Sequence, residues 1–393
     1  MKRLLLAIIL FTSIHSSNAQ SPIEVGNKFQ IDSDVLDEER ELWIGLPLYY
    51  DSTVAYPVIY VLDAEWQFDI TLAMTKELAS NDKIPAHIVV GIPHVDRVRR
   101  FNDLTFTGTE LRSDGTLDST LVDFFGPDKT GGGNQFYDHL VKEVLPFVES
   151  KHKTNGFDVF IGHSLSGLYG AYLISKDGPF DAFQLYDPSI WYNGGDVIDS
   201  LAENLPVEFN SNVFMSTAAG GKEKQQYNVD TQEKLHKFLS KRGINSELVV
   251  YENEGHGTVR LPSLIDGLSH LYDGFSIGFI MPSDKITVSD AHAHYAAFSK
   301  KVSYEFSCPE GAYRWIGHAN HSQGNWAEAI KAYNFCQHLF TEDPLFQKEA
   351  AESYFGIEDY ARSLSFYGKW LVLEPENEDV IQKIEELKRL IKK

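Results

Sequence analysis

From Phe29 to about Gly278 the chain alternates short β-rich runs with helical patterns, and this alternation restricts its fold more than any other feature. The runs are Glu41 to Leu48, Tyr56 to Leu62 (YPVIYVL), Ala86 to Ile92 (AHIVVGI), Asp158 to Ile161, Ala182 to Tyr186 and Glu247 to Tyr251. All are of strand length. Between them stand helical segments such as FYDHLVKEVLPFVESKH, whose Leu140, Val144, Leu145 and Val148 repeat at helical spacing. Apolar strands separated by helices specify an α/β fold, a mostly parallel sheet covered on both faces. In such sheets function collects in the loops at the carboxyl ends of the strands.

The flanks of this region differ from it. Residues 1–19 have the order of a secretory signal: Lys2 and Arg3, an apolar run from Leu4 to Ile14, then Ser17-Asn18-Ala19 as a small-x-small cleavage site. That run is too short to span a bilayer. The expected location is therefore periplasmic or secreted, with no stable membrane insertion. Past about Pro282 the pattern becomes continuous helix. There WAEAIKAY from Trp326 and YARSLSFY from Tyr360 align at a 34-residue offset, each followed by a proline, Pro344 and Pro375. A 34-residue period of this kind resembles tetratricopeptide repeats, and two copies need a neighbour to cover them, either the preceding helix or the α/β domain. The expected domains are 1–19 as signal peptide, 20–280 as α/β domain and 281–393 as helical domain.

The formal charge of −21 argues against nucleic-acid binding and against adsorption to an anionic membrane. Cys308 and Cys336 are the only cysteines and read as small buried hydrophobes rather than a bridge. The polar stretch from Thr105 to Gln135, ending in three glycines, reads as a partial cover over a pocket, with plain disorder as the alternative.

The segment FIGHSLSGLYG, Phe160 to Gly170, places Ser164 between a short strand and the start of a helix. This is the setting of a nucleophile elbow, G-x-S-x-G, with Ser166 at the last position and Gly167 directly after it. The turn projects the serine oxygen from the sheet edge and aims the Leu165 N–H at a developing oxyanion. A serine hydroxyl needs a base, and His256 in VVYENEGHGTV follows the last strand on a glycine-flanked loop. The acid that orients it should lie between them at a strand end. Glu223 in AAGGKEKQQY is the preferred candidate and Asp187 in LYDPSIWY the alternative. The second oxyanion donor is expected at the Glu65 N–H in YVLDAEWQF, with Asp63 holding the loop's shape. His292 and His294 share no helix face, so no metal site is expected there.

Taken together, these segments resemble the Putative esterase family of α/β hydrolases, which includes siderophore, feruloyl and acetyl-carbohydrate esterases. YVLDAEWQF resembles the family's L-D-G loop, and VGIPHVDRVRRFNDLTF its strand with an R…D-L-T-P segment. YDPSIWY resembles the S-P-S-L-W-W loop, while GHSLSG, GGKE and EGHGT resemble the three catalytic positions. The resemblance implies Ser164 as nucleophile, His256 as base and Glu223 as acid, with oxyanion donors at Leu165 and Glu65. It also implies Trp191 as a pocket wall and Arg97 or Arg100 as contacts for an anionic substrate group. Ala64, Ser166 and Phe106 depart from the family pattern, and Ala64 could shift the second oxyanion donor. The implied activity is an exported serine esterase working through an acyl-enzyme without metal or cofactor, on a small-molecule ester such as a siderophore trilactone. The alternative is a binding protein whose repeats hold a protein or peptide partner while the hydrolase domain has little activity.

Overall fold

A computed structural model describes residues 24–108, 129–176, 178–206, 209–220, 222–278 and 280–392, with the side chains of residues 222–225 outside the description. The signal-like segment, and residues 109–128 of the stretch read as a cover, lie outside the described residues.

The strand β3 (Tyr56–Leu62) shows how the sequence builds the sheet. All seven of its residues are buried, and Pro57 sits near its start, where a missing N–H is tolerated. Val58, Tyr60 and Leu62 enter the core on one face, and Ile59 and Val61 enter the core on the other. A strand apolar at every position can satisfy its pleat only with helices on both sides. Around it runs an eight-stranded sheet containing β1 (Asn27–Ser33), β2 (Glu38–Gly45), β4 (Ile88–Ile92), β5 (Thr154–His163), β6 (Ala182–Tyr186), β7 (Asn212–Ala218) and β8 (Ser246–Tyr251). The strand order is β1-β2-β4-β3-β5-β6-β7-β8. The pairings β1–β2 and β2–β4 are antiparallel, and all those from β4 to β8 are parallel.

Helices α1 (Ala64–Ser80), α2 (Arg97–Leu104), α3 (Gly133–His139), α4 (Leu145–Lys151), α5 (Leu165–Ile174), α6 (Asp196–Asn204), α7 (Lys222–Lys241) and α8 (Arg260–Leu271) supply the cover. The segment between α3 and α4, Leu140–Val144, is a π turn within what the sequence pattern reads as one helix. All ten residues of α5 are buried. Gly170 allows its close approach, since a Cβ there would lie 2.4 Å from Leu185 and 2.5 Å from Phe160.

The C-terminal part is all helix: α9 (Val288–Val302), α10 (Glu310–Ser322), α11 (Trp326–Cys336), α12 (Pro344–Gly356), α13 (Tyr360–Leu373) and α14 (Glu378–Ile391). Its arrangement fits helical repeats. These helices share an apolar core with one face of the sheet. Phe157 on β5 packs edge-on against Phe306, with centroids 5.0 Å apart, and Phe275 after α8 meets Phe298 of α9 at 5.4 Å. Cys308 and Cys336 are free and buried, and burial pushes both thiols up to about 12. His292 and His294 are hydrogen-bonded apart, one to the Tyr313 hydroxyl and the other to the Phe275 carbonyl.

Candidate active site

The strand β5 ends at His163 and α5 begins at Leu165, so Ser164 alone makes the turn. Its backbone sits at φ 62°, ψ −117°, a strained conformation for a residue with a Cβ. Three backbone hydrogen bonds hold it there. The Ser164 N–H donates to the Tyr186 carbonyl, and its own carbonyl accepts from the N–H groups of Ser189 and Leu168. Gly162 is required by contact: a Cβ there would lie 2.3 Å from the Ser166 carbonyl oxygen. Ser166 is fully buried, so the departure from glycine is accommodated inside the turn rather than outside it.

The loop after β8 brings His256 over this turn. Its Nε2 lies 2.9 Å from Ser164 Oγ, and its Nδ1 lies 2.6 Å from Asp187 Oδ2. The His256 side chain is 46% exposed whereas that of Asp187 is fully buried, so the pair joins an accessible ring to a sequestered charge. Burial would raise the Asp187 carboxyl. Hydrogen bonds from His256, Gln232 and the Ala218 N–H outweigh burial and hold it below the usual carboxylate range. The ionised carboxylate only accepts, so Nδ1 carries the proton and Nε2 presents its lone pair to the serine.

Asp187 therefore takes the position expected for Glu223. The reason lies in the sheet order: β6 pairs directly with β5, and Asp187 follows β6 with φ 42°, beside the elbow. Glu223 belongs to the first turn of α7, one strand further on, and its side chain lies outside the described residues.

The other expected positions divide. Leu165 is the first residue of α5 and Glu65 the second of α1. Both lie in first helical turns, where N–H groups lack intrahelical partners. The Glu65 carboxylate accepts from the His94 N–H at 2.9 Å, tying the loop after β3 to the loop after β4. Asp63 does hold the loop's shape: it sits at φ 55° and binds Arg100 through both carboxylate oxygens.

A depression of about 330 Å³ beside Ser164 is lined by Trp66, Arg100, His163, His256 and Arg260, among others. Arg100 thus reaches the site, whereas Arg97 is exposed on α2 and does not line it. Trp191 is partly buried against the core and does not line it either. Trp66, 58% exposed, provides the aromatic surface instead. Sequence reasoning passed over it although it adjoins Glu65. It also passed over Arg260, four residues after His256, which donates to the Gly257 and Trp66 carbonyls and so spans the two rims.

His163 was also missed. Burial, reinforced by the neighbouring His256, pushes it down to about 4, so it is neutral at ordinary pH. Its Nε2 lies 2.7 Å from the His256 carbonyl oxygen. A carbonyl can only accept, so Nε2 carries the proton and fixes the loop that holds His256.

Among known proteins, residues 33–178 match the family model described as Putative esterase. The siderophore enterobactin esterase of Emericella nidulans is 26% identical over 175 residues, which is 37% of this chain and 58% of that protein. The chain thus spans little more than half the length of that relative. The crystal structure of an IroE-like serine hydrolase from Shewanella oneidensis superposes with a TM-score of 0.68 at 27% identity, covering 80% of this chain and 99% of that one. An uncharacterised protein from Capnocytophaga ochracea is 16% identical with a TM-score of 0.58, and covers 92% of this chain and 99% of its own. At that identity the likeness is one of fold.

Proposed function

The α/β part of this chain belongs to the Putative esterase family, and from that membership together with the elbow geometry we propose that the protein is a serine esterase. The observation that carries the reading is the hydrogen-bonded line Asp187–His256–Ser164, with spacings of 2.6 and 2.9 Å. Ser164 Oγ attacks the ester carbonyl while His256 Nε2 takes its proton. Asp187 stabilises the imidazolium that forms. The N–H groups of Leu165 and Glu65 receive the developing oxyanion. His256 then protonates the departing alcohol, and the same ring activates water to release the acyl group. No step requires a metal or cofactor.

The substrate is a small-molecule ester of the siderophore type. A relative that is named a siderophore esterase and an IroE-like neighbour support this, as does a shallow site carrying Trp66, Arg100 and Arg260. The protein acts outside the cytoplasm after cleavage before Gln20, a reading that rests on the order of charged, apolar and small residues at its start.

Turnover of chromogenic short-chain esters and of a cyclic trilactone by wild type and Ser164→Ala tests the activity. Serine-dependent turnover is expected on both. Trilactone turnover that persists in Ser164→Ala would remove Ser164 from the mechanism. Absence of turnover on the whole panel would turn the reading toward a binding role.

A further inference from the structure

The sequence departs from the elbow's usual glycine at Ser166, and the structure shows what the added hydroxyl touches. Ser166 is fully buried in the first turn of α5. Its Oγ accepts from the His163 N–H at 2.8 Å and lies 2.8 Å from both Asp63 Oδ2 and the His163 carbonyl oxygen. The hydroxyl has one proton to give, and the charged carboxylate is the stronger acceptor. One atom therefore ties the elbow backbone to the loop after β3.

Asp63 is well placed to receive that bond. Burial would raise its carboxyl. The hydrogen bonds and charge of Arg100, aided by His94 and Ser166, outweigh burial and hold it below the usual range, so it is ionised. Asp63 is also the residue directly before α1, in the left-handed region at φ 55°, where the backbone favours glycine. It sets the start of the helix that carries the Glu65 N–H. The next residue is Ala64, another departure from the family pattern, with 2% of its surface exposed. Its Cβ faces Gly91, where an added Cβ would come within 2.9 Å of it.

We propose that Ser166 is a positioning residue for the oxyanion site. Its hydroxyl holds the elbow that carries the Leu165 N–H in register with the Asp63 turn that carries the Glu65 N–H. Two donors on separate loops act together only if their spacing is fixed before the oxyanion forms, because reorganisation at that moment subtracts from their effect. A glycine at this position has no atom to make the link. The proposal rests on the esterase reading, and its test separates the two.

The variants are Ser166→Ala, which removes only the hydroxyl oxygen, and Ser166→Gly, which restores the elbow's usual residue and so keeps the test open if alanine disturbs folding. Four quantities are read: kcat and KM on a neutral chromogenic ester, the rate constant for labelling of Ser164 by a fluorophosphonate, and the melting temperature. The expected result is a fall in kcat and in labelling rate of roughly tenfold to a hundredfold, below the full loss of an oxyanion donor. KM should stay within about twofold, since ground-state binding is untouched. Labelling and kcat at wild-type levels in both variants would overturn the positioning role. So would a fall in melting temperature without loss of kcat per folded molecule, which marks a merely structural bond. A wild-type protein that neither turns over esters nor takes the label would sink the esterase reading itself, and the proposal with it.

Discussion

Replacing Asp187 with asparagine changes few atoms and should remove most of the activity. Asp187 Oδ1 is fixed by the Gln232 amide at 2.9 Å, the Asn228 amide at 3.0 Å and the Ala218 N–H at 3.2 Å, all of them donors. The asparagine carbonyl must keep that place, so its NH₂ group turns toward His256 Nδ1, where Oδ2 stood at 2.6 Å. An NH₂ facing Nδ1 requires a lone pair there, which moves the ring proton to Nε2. The ring then points a proton at Ser164 and cannot accept one. The corresponding change in a well-studied serine protease lowers kcat by about 10⁴, and the same wrong-tautomer argument predicts a loss of that order here. That is about 5 kcal/mol of transition-state stabilisation. Steady-state hydrolysis of a chromogenic ester by wild type, Asp187→Asn and Glu223→Gln measures it, with circular dichroism confirming the fold. Glu223→Gln should stay within about twofold of wild type, because Asp187 already takes the acid's place at His256 Nδ1. If Asp187→Asn keeps a tenth of the activity, or Glu223→Gln loses more than it does, the assignment of the acid is refuted.

Gly162→Ala forces a Cβ to within 2.3 Å of the Ser166 carbonyl, so melting should show a loss of about 2 kcal/mol or more. Gly257→Ala, with open space around it, should stay within about 0.5 kcal/mol. Burial, reinforced by the Asp181 and Glu149 charges, pushes the Asp158 carboxyl up to about 7. The folded chain therefore binds an extra proton between the unfolded carboxyl value near ~4 and about 7. The contribution to stability is full below that window and lost as pH rises through it, by at most about 4 kcal/mol. Urea unfolding from pH 4 to 8 should show this decline in wild type and a flatter profile in Asp158→Asn. Arg260→Ala removes a cation that makes no ion pair with a described residue. It should raise KM for an anionic ester several-fold and leave a neutral ester nearly unchanged, as paired kinetics would show.

The parallel sheet was readable because the short strands β3, β4 and β6 are almost wholly apolar and buried at every position, and that pattern has few other solutions. The elbow was readable because its steric demands fall on neighbouring residues, Gly162 and Gly167, and the sequence states them directly. The acid was harder to read. Asp187 and Glu223 both follow strands, and what separates them is that β6 lies beside β5, a property of sheet order rather than of local sequence. Arg97 and Arg100 stand three apart on one short helix, and only the position of Asp63 selects Arg100. Trp191 and Trp66 each follow a strand-end loop. One packs into the core and the other lies open at the site, a difference of packing that composition does not encode. The π turn at Leu140–Val144 left no mark in the helical periodicity.

The central claim is that Ser164 is a nucleophile activated by His256. Covalent labelling with a fluorophosphonate followed by peptide mass spectrometry tests it most directly. A single adduct on the peptide containing Ser164 is predicted, absent from Ser164→Ala and formed far more slowly in His256→Ala. Ester turnover accompanied by an adduct elsewhere, or by none, would contradict the account.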